Sequence, residues 1–198
     1  AYQQLLPDPK VVADLLAYPV VQTLIRSIIQ AQSESGAKTG LRPFRNAGDL
    51  YWEVASRLLD RAFKSGRYVK TSEEKSRLFQ LLACYGYLMM LMYRDYRVPE
   101  TDIPAMHKAV RERCGVSERD WERYENILRD TAVTEHLLFK ENDQRELSFP
   151  SLKMAEFFAR LYLGSYCDER VLHELRPEIG RNEWNNVWRC VAELPETS

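Results

Sequence analysis

Residues 147–164, LSFPSLKMAEFFARLYLG, run from a β-prone start (Leu147, Ser148, Phe149) through Pro150 into an aromatic-rich pattern of helical period. No break is expected there before Gly164. Ser151, just after the proline, is a residue type that caps helices. A strand end set directly against such a helix requires a core on which both can pack. Upstream, EHLLFKENDQRELSFP (135–150) alternates apolar and polar residues around the polar turn ENDQ, which predicts a β-hairpin over 137–149. Met154, Phe157, Phe158 and Leu161, spaced three and four apart, predict the stripe by which the following helix folds onto that core.

Working outward, the rest of the chain reads as helices. PKVVADLLAY (9–18) is a short amphipathic segment, and Pro19 suits the first position of a second helix because its missing N–H has no partner there. Val21, Leu24, Ile25, Ile28 and Ile29 form its apolar stripe. The Gly-, Ser- and Pro-rich stretch 33–48 predicts a loop. A helix over 49–65 follows, burying Leu50, Val54, Leu58 and Leu59 and stopping at Gly66. Thr71 with Glu74 forms a capping box for a helix over 72–93, apolar on nearly every side after Leu78 and therefore central. VPETDIP (98–104) is expected to be a turn. Helices over 104–113 and 117–131 follow, the second with Ser117 as cap and Asp120 in its first turn. Residues 166–198 are helical again, with Trp184 and Trp188 on one face. Three helices, a hairpin and a helix over 67–164 follow the plan of a winged helix.

Composition limits the functions available. Twenty-eight basic and 29 acidic residues among 198 leave a formal charge of −1, which gives no broad attraction to nucleic acid or to an anionic membrane. The candidate recognition helix, SERDWERYENILRD (117–130), carries acids at least as numerous as its bases, so a phosphate backbone would be repelled. The longest apolar run, YGYLMMLMY (85–93), is too short to span a bilayer, and the start, AYQQLLPDPK, has no basic end followed by an apolar stretch. A cytoplasmic location is expected. Cys84, Cys114, Cys167 and Cys190 contain no CxxC pair, which argues against zinc and for reduced thiols. His107, His136 and His173 make no local catalytic pair, and HEL at 173–175 is not H-E-x-x-H. SGAKTG (35–40) fails as a P-loop: its lysine does not directly follow the last glycine, and a helix, not a strand, precedes it.

FPSLKMAEFFARLYLG (149–164) resembles the winged-helix signature of NACHT-type STAND NTPases, F-x-H-x-x-x-Q-E-F-x-A-A-x-Y. Phe149, Glu156, Phe157, Ala159 and Tyr162 fit, whereas Ala155 stands for the glutamine and Arg160 for the second alanine. LLAYPVVQTLI (15–25) is similar to the family segment whose proline lies near the adenine. LRPFRNAGDLYWEVASRLLDRAF (41–63) resembles the loop and helix that come next, and RNEWNNVWRCVAELP (181–195) the first helices after the winged helix.

The resemblance implies a mainly α chain. Residues 1–66 would be a helical bundle, 67–165 a winged-helix domain with one β-hairpin, and 166–198 the start of a further helical domain. It also implies the C-terminal part of a NACHT module without its ATPase half, since Walker A and Walker B are absent. The chain itself would then be no enzyme. ATP or ADP with magnesium would be held by an upstream P-loop domain of the same polypeptide, the principal partner, and activation would produce a homo-oligomer. Pro19 and Ser151 are the implied nucleotide contacts. Ser151 stands where many relatives carry a histidine that meets the β-phosphate, and serine offers one hydrogen bond and no charge. The implied role is regulatory, in defence or programmed death: the winged helix closes over ADP, and exchange for ATP releases it as a rigid body. The competing readings are a freestanding protein-interaction domain and, disfavoured by charge, a winged-helix nucleic-acid binder.

Overall fold

The computed structural model describes residues 22, 25–26, 47–64, 71–93, 96–129, 140–141, 145–149, 152–182, 184–185 and 187–188. Its contacts divide the chain into two compact units, Ala1–Arg61 and Ala62–Ser198. In the first, Ile25 is buried, and α1 (Ala47–Lys64) buries Leu50, Tyr51, Val54 and Ala55 along one face. Glu53 and Arg57 pair one turn apart at 2.5 Å. The helix begins at Ala47, inside the expected loop 33–48, which puts the Asp49 carboxylate in the first turn, where the exposed N–H groups favour negative charge. The expected segment 9–18, Val21, Leu24, Ile28 and Ile29 lie outside the described residues, as do the side chains of Leu58 and Leu59.

The second unit is built on α2 (Ser72–Met92). The Thr71 hydroxyl accepts the Glu74 N–H at 3.1 Å, and the Thr71 N–H donates to Glu74 Oε2 at 3.0 Å, the reciprocal bonds of a capping box. From Leu81 through Met90 every residue is buried, so the helix is central on all its faces. After it come β1 (Arg97–Val98), a 3-10 turn (Glu100–Asp102), α3 (Ile103–Arg113), α4 (Glu118–Arg129), β2 (Lys140–Glu141), β3 (Leu147–Ser148), α5 (Leu152–Tyr166) and α6 (Glu169–Leu175). A second 3-10 turn, Arg176–Glu178, precedes helical residues at Asn182, Trp184, Asn185, Val187 and Trp188.

The hairpin pairs Lys140 with Ser148 and Glu141 with Leu147, antiparallel as expected. It has a third member where the sequence predicts only a turn. β1 pairs with the other edge of β3, Arg97 with Ser148 and Val98 with Leu147, giving the order β1-β3-β2. Two residues are too few to show alternation, and Val98, fully buried, holds the strand in place. The expected turn thus contains a strand residue, a 3-10 turn and the start of α3.

Phe149, one residue past β3, stacks on Phe158 of α5 with ring centroids 5.2 Å apart and planes 18° from parallel. Phe158 also meets Phe79 of α2 at 6.4 Å and Phe157 at 5.1 Å. The strand therefore ends where its next side chain must turn into the aromatic core. Met154, Phe157 and Phe158 are buried as expected, but Leu161 is only half-buried, and Tyr162 and Leu163 take the inner positions. Nor does α5 stop at Gly164, which keeps helical backbone. The described glycines with positive φ are Gly115 and Gly180, and a glycine stops a helix where the left-handed conformation is needed. The break comes at Cys167–Asp168, where the Asp168 carboxylate caps α6 by accepting the Val171 N–H at 2.8 Å.

Candidate functional site

The α3 terminus supplies the first two residues of a polar cluster inside the second unit. Gly115, with φ of +62°, allows the Val116 N–H to reach Arg111 O at 3.0 Å and the Gly115 N–H to reach Glu112 O at 3.3 Å. This is the Schellman ending of a helix. It leaves Arg113 and Cys114 facing inward from the last turn. Arg77 of α2 donates to the Cys114 carbonyl at 3.1 Å, satisfying one acceptor that the helix end leaves open.

Around Arg113 four elements meet. Its guanidinium pairs with Glu174 of α6 and lies 5.4 Å from the ring centroid of Tyr87 on α2. The Tyr87 hydroxyl donates to Glu174 at 2.9 Å, and Arg170 donates to the same carboxylate at 3.2 Å. Tyr162 of α5 stacks on Tyr87, centroids 4.8 Å apart. Trp184, nearly fully buried, stands edge-on to Tyr87 at 6.2 Å and meets Trp188 at 6.0 Å.

The electrostatics lock these groups into single charge states. Burial, with the Glu174 bond next, pushes the Tyr87 hydroxyl well above its ordinary value, and burial pushes Tyr162 up to about 12. Burial opposes ionisation of Glu174, but the bonds from Arg113, Tyr87 and Arg170 outweigh it and hold the carboxyl below the usual range. Burial likewise works against the Arg113 charge, and bonds to Glu174 and Tyr162 overcome it. A network of this kind fixes the positions of α2, α3, α5 and α6 relative to one another; its members do not exchange protons near neutral pH.

Beside it lie two thiols. Cys84 is fully buried and Cys114 nearly so, and both are free. The neighbouring Cys114 thiol, reinforced by burial, holds Cys84 protonated. Its interaction with Cys84, with the Arg77 and Arg113 guanidiniums, lowers Cys114 against the opposing effect of burial. In α5, Arg160 is 5 % exposed and its Nε has no hydrogen-bond partner.

Pro19 and Ser151, the implied nucleotide contacts, lie outside the described residues, as do His136 and Cys190. The signature positions Phe149, Glu156, Phe157, Ala159 and Tyr162 are all buried. His107 sits 3.3 Å from Glu125 between the rings of Tyr85 and Trp121, a packed position between α3 and α4. His173 is exposed, while its neighbour Glu174, in the HEL that fails the zinc spacing, is the hub of the network. Sequence reasoning missed the network because its partners are distant: 61 residues separate Arg113 from Glu174, and 87 separate Tyr87 from it. Arg113 also has an ordinary local explanation, a basic residue in the last turn of a helix.

Among the described residues, no three His, Cys, Asp or Glu side chains are grouped to hold a metal ion, and no helix is long and apolar enough to cross a membrane. Comparison of the chain with protein-family models, with curated proteins and with solved structures finds no match.

Proposed function

We propose that residues 67–165 form a winged helix and that the chain is the regulatory part of a NACHT-type STAND NTPase. In this reading it senses the nucleotide held by an upstream P-loop domain, restrains that domain with ADP bound, and permits homo-oligomerisation after exchange for ATP. The observation that carries the reading is the order of elements: α2, β1, α3, α4, then the β2–β3 hairpin, with β3 lying between β1 and β2. Helix, strand, two helices and hairpin is the winged-helix succession. It is followed at once by the helix bearing Glu156, Phe157, Ala159 and Tyr162.

The Arg113–Glu174 network adds a physical reason. A switch that moves as a rigid body needs its elements tied firmly to one another, and α6 is tied to α2, α3 and α5 by ionic, hydroxyl and ring contacts. Pro19 would give the adenine apolar contact, and Ser151 at most one hydrogen bond to phosphate. ATP or ADP with magnesium belongs to the upstream partner, and the setting is a cytoplasmic defence or death pathway.

Translating the coding sequence upstream of Ala1 tests this directly. A Walker A motif in frame within roughly 200 residues, about one domain length, is the expected result. An open frame that leads into an unrelated domain overturns the proposal.

A further inference from the structure

We propose that Cys84 and Cys114 are an oxidation site, a thiol pair that a hydroperoxide converts into a disulfide joining α2 to the end of α3. Arg77, Gln80 and Cys84 follow one another at three- and four-residue spacing on one face of α2, and Cys114 docks along that face. Arg77 holds its carbonyl at 3.1 Å, and its sulfur lies 4.0 Å from the Gln80 carbonyl, the acceptor one helical turn before Cys84. Cys84 follows Gln80 by one helical turn on that face, which sets its side chain beside the Cys114 sulfur. Two sulfurs thirty residues apart in sequence are thus neighbours in space, and both are free.

Paired core cysteines are ordinarily just small apolar side chains. Two features set this pair apart. The Arg77 guanidinium, bonded to the Cys114 carbonyl, and that of the preceding residue, Arg113, favour the Cys114 thiolate, the reactive form. It also occupies a helix end instead of a helix interior: the next residue, Gly115, is exposed, with open space where a Cβ would stand.

The chemistry balances with hydrogen peroxide as oxidant. The Cys114 thiolate attacks one peroxide oxygen, the O–O bond breaks, and the departing hydroxide takes up the proton released from Cys114. This leaves a sulfenic acid and one water. The Cys84 sulfur then attacks the sulfenic sulfur, the S–S bond forms, and the expelled hydroxide leaves as a second water with the Cys84 proton. Two thiols and one peroxide become one disulfide and two waters, the sulfurs giving up the two electrons that the peroxide oxygens gain.

The test treats the reduced, folded chain with stoichiometric hydrogen peroxide, alkylates the remaining thiols and maps the digest by mass spectrometry. The expected product has lost two hydrogens, located on a peptide pair linking Cys84 to Cys114 and restored by dithiothreitol. Its thermal midpoint lies above that of the reduced chain, because the bond closes a loop in the unfolded state. In Cys84→Ser, Cys114 should stop at the sulfenic acid and be trapped by dimedone. Recovery of both Cys84 and Cys114 as alkylated thiols while Cys167 or Cys190 is oxidised would overturn the proposal. So would a Cys84–Cys114 yield no higher in the folded chain than in the chain unfolded by urea. Both readouts use the unaltered sequence and hold even if Cys84→Ser fails to fold.

Discussion

At Gly86 a missing side chain decides how closely α2 and α5 approach. A Cβ there would stand 2.7 Å from the Phe158 Cβ, 2.8 Å from the Ala159 nitrogen and 2.9 Å from the Ala155 oxygen. Two of these are backbone atoms that cannot move without separating the helices. Helix propensity alone says that Gly86→Ala should stabilise by up to about 1 kcal/mol. Overpacking says it should destabilise by about 1–3 kcal/mol, and overpacking should win. Urea denaturation decides the sign, and a stabilised variant would show that the helices are not in close contact. The sequence offers a glycine inside an apolar helix, but its neighbours lie far along the chain in α5. By contrast, the Thr71–Glu74 capping box was legible, because both members and both bonds lie within one turn. The Arg113 network contributes to the pH dependence at both ends. Glu174 ionises more readily folded than unfolded, so its contribution is complete above the ordinary value of 4.5 and is lost as pH falls through its lower folded value. Tyr162 behaves in the opposite sense: its contribution is complete below the ordinary value of 10.0 and is lost as pH rises towards about 12. Denaturation midpoints measured across pH should therefore fall at both ends. Glu174→Gln should flatten the acid limb and Tyr162→Phe the alkaline limb, and unchanged limbs would show that these groups do not carry the effect.

Among the elements, the β3–α5 joint does most to organise the second unit. Phe158, fully buried, contacts Phe79, Phe149 and Phe157, so it links α2, the end of β3 and α5. Phe158→Ala should cost about 3–5 kcal/mol, and Phe157→Ala, at 5 % exposure, a similar amount. A Phe158→Ala chain whose thermal midpoint stays within a degree or two of the parent would show that the joint is not packed as described. The hairpin and the helix after it were legible because polar ENDQ separates two alternating runs and because aromatic residues recur at helical period. β1 was not: Arg97 and Val98 form a strand only because β3 offers them a partner, and nothing local shows it. Gly164 misled for a related reason, since its backbone needs no left-handed turn while α5 still has Tyr162 and Tyr166 to set against each other, 5.5 Å apart.

For the whole molecule, the helix–strand–helix–helix–hairpin order is what the proposed switching role rests on, and that order was readable apart from β1. The nucleotide contacts assigned to Pro19 and Ser151 rest on the resemblance alone, because both lie outside the described residues. The network that ties α6 to the rest was unreadable, since it assembles only when distant helices meet. The proposed regulatory role requires that residues 72–188 respond to nucleotide bound by an upstream domain. Hydrogen–deuterium exchange on the complete polypeptide, loaded with ADP or with ATP and magnesium, tests it most directly. Exchange across β2, β3 and the N-terminal half of α5 should differ between the two states, while α2 and the Arg113–Glu174 network stay equally protected in both. Identical exchange throughout 72–188, in a protein shown to retain each nucleotide, would contradict the claim.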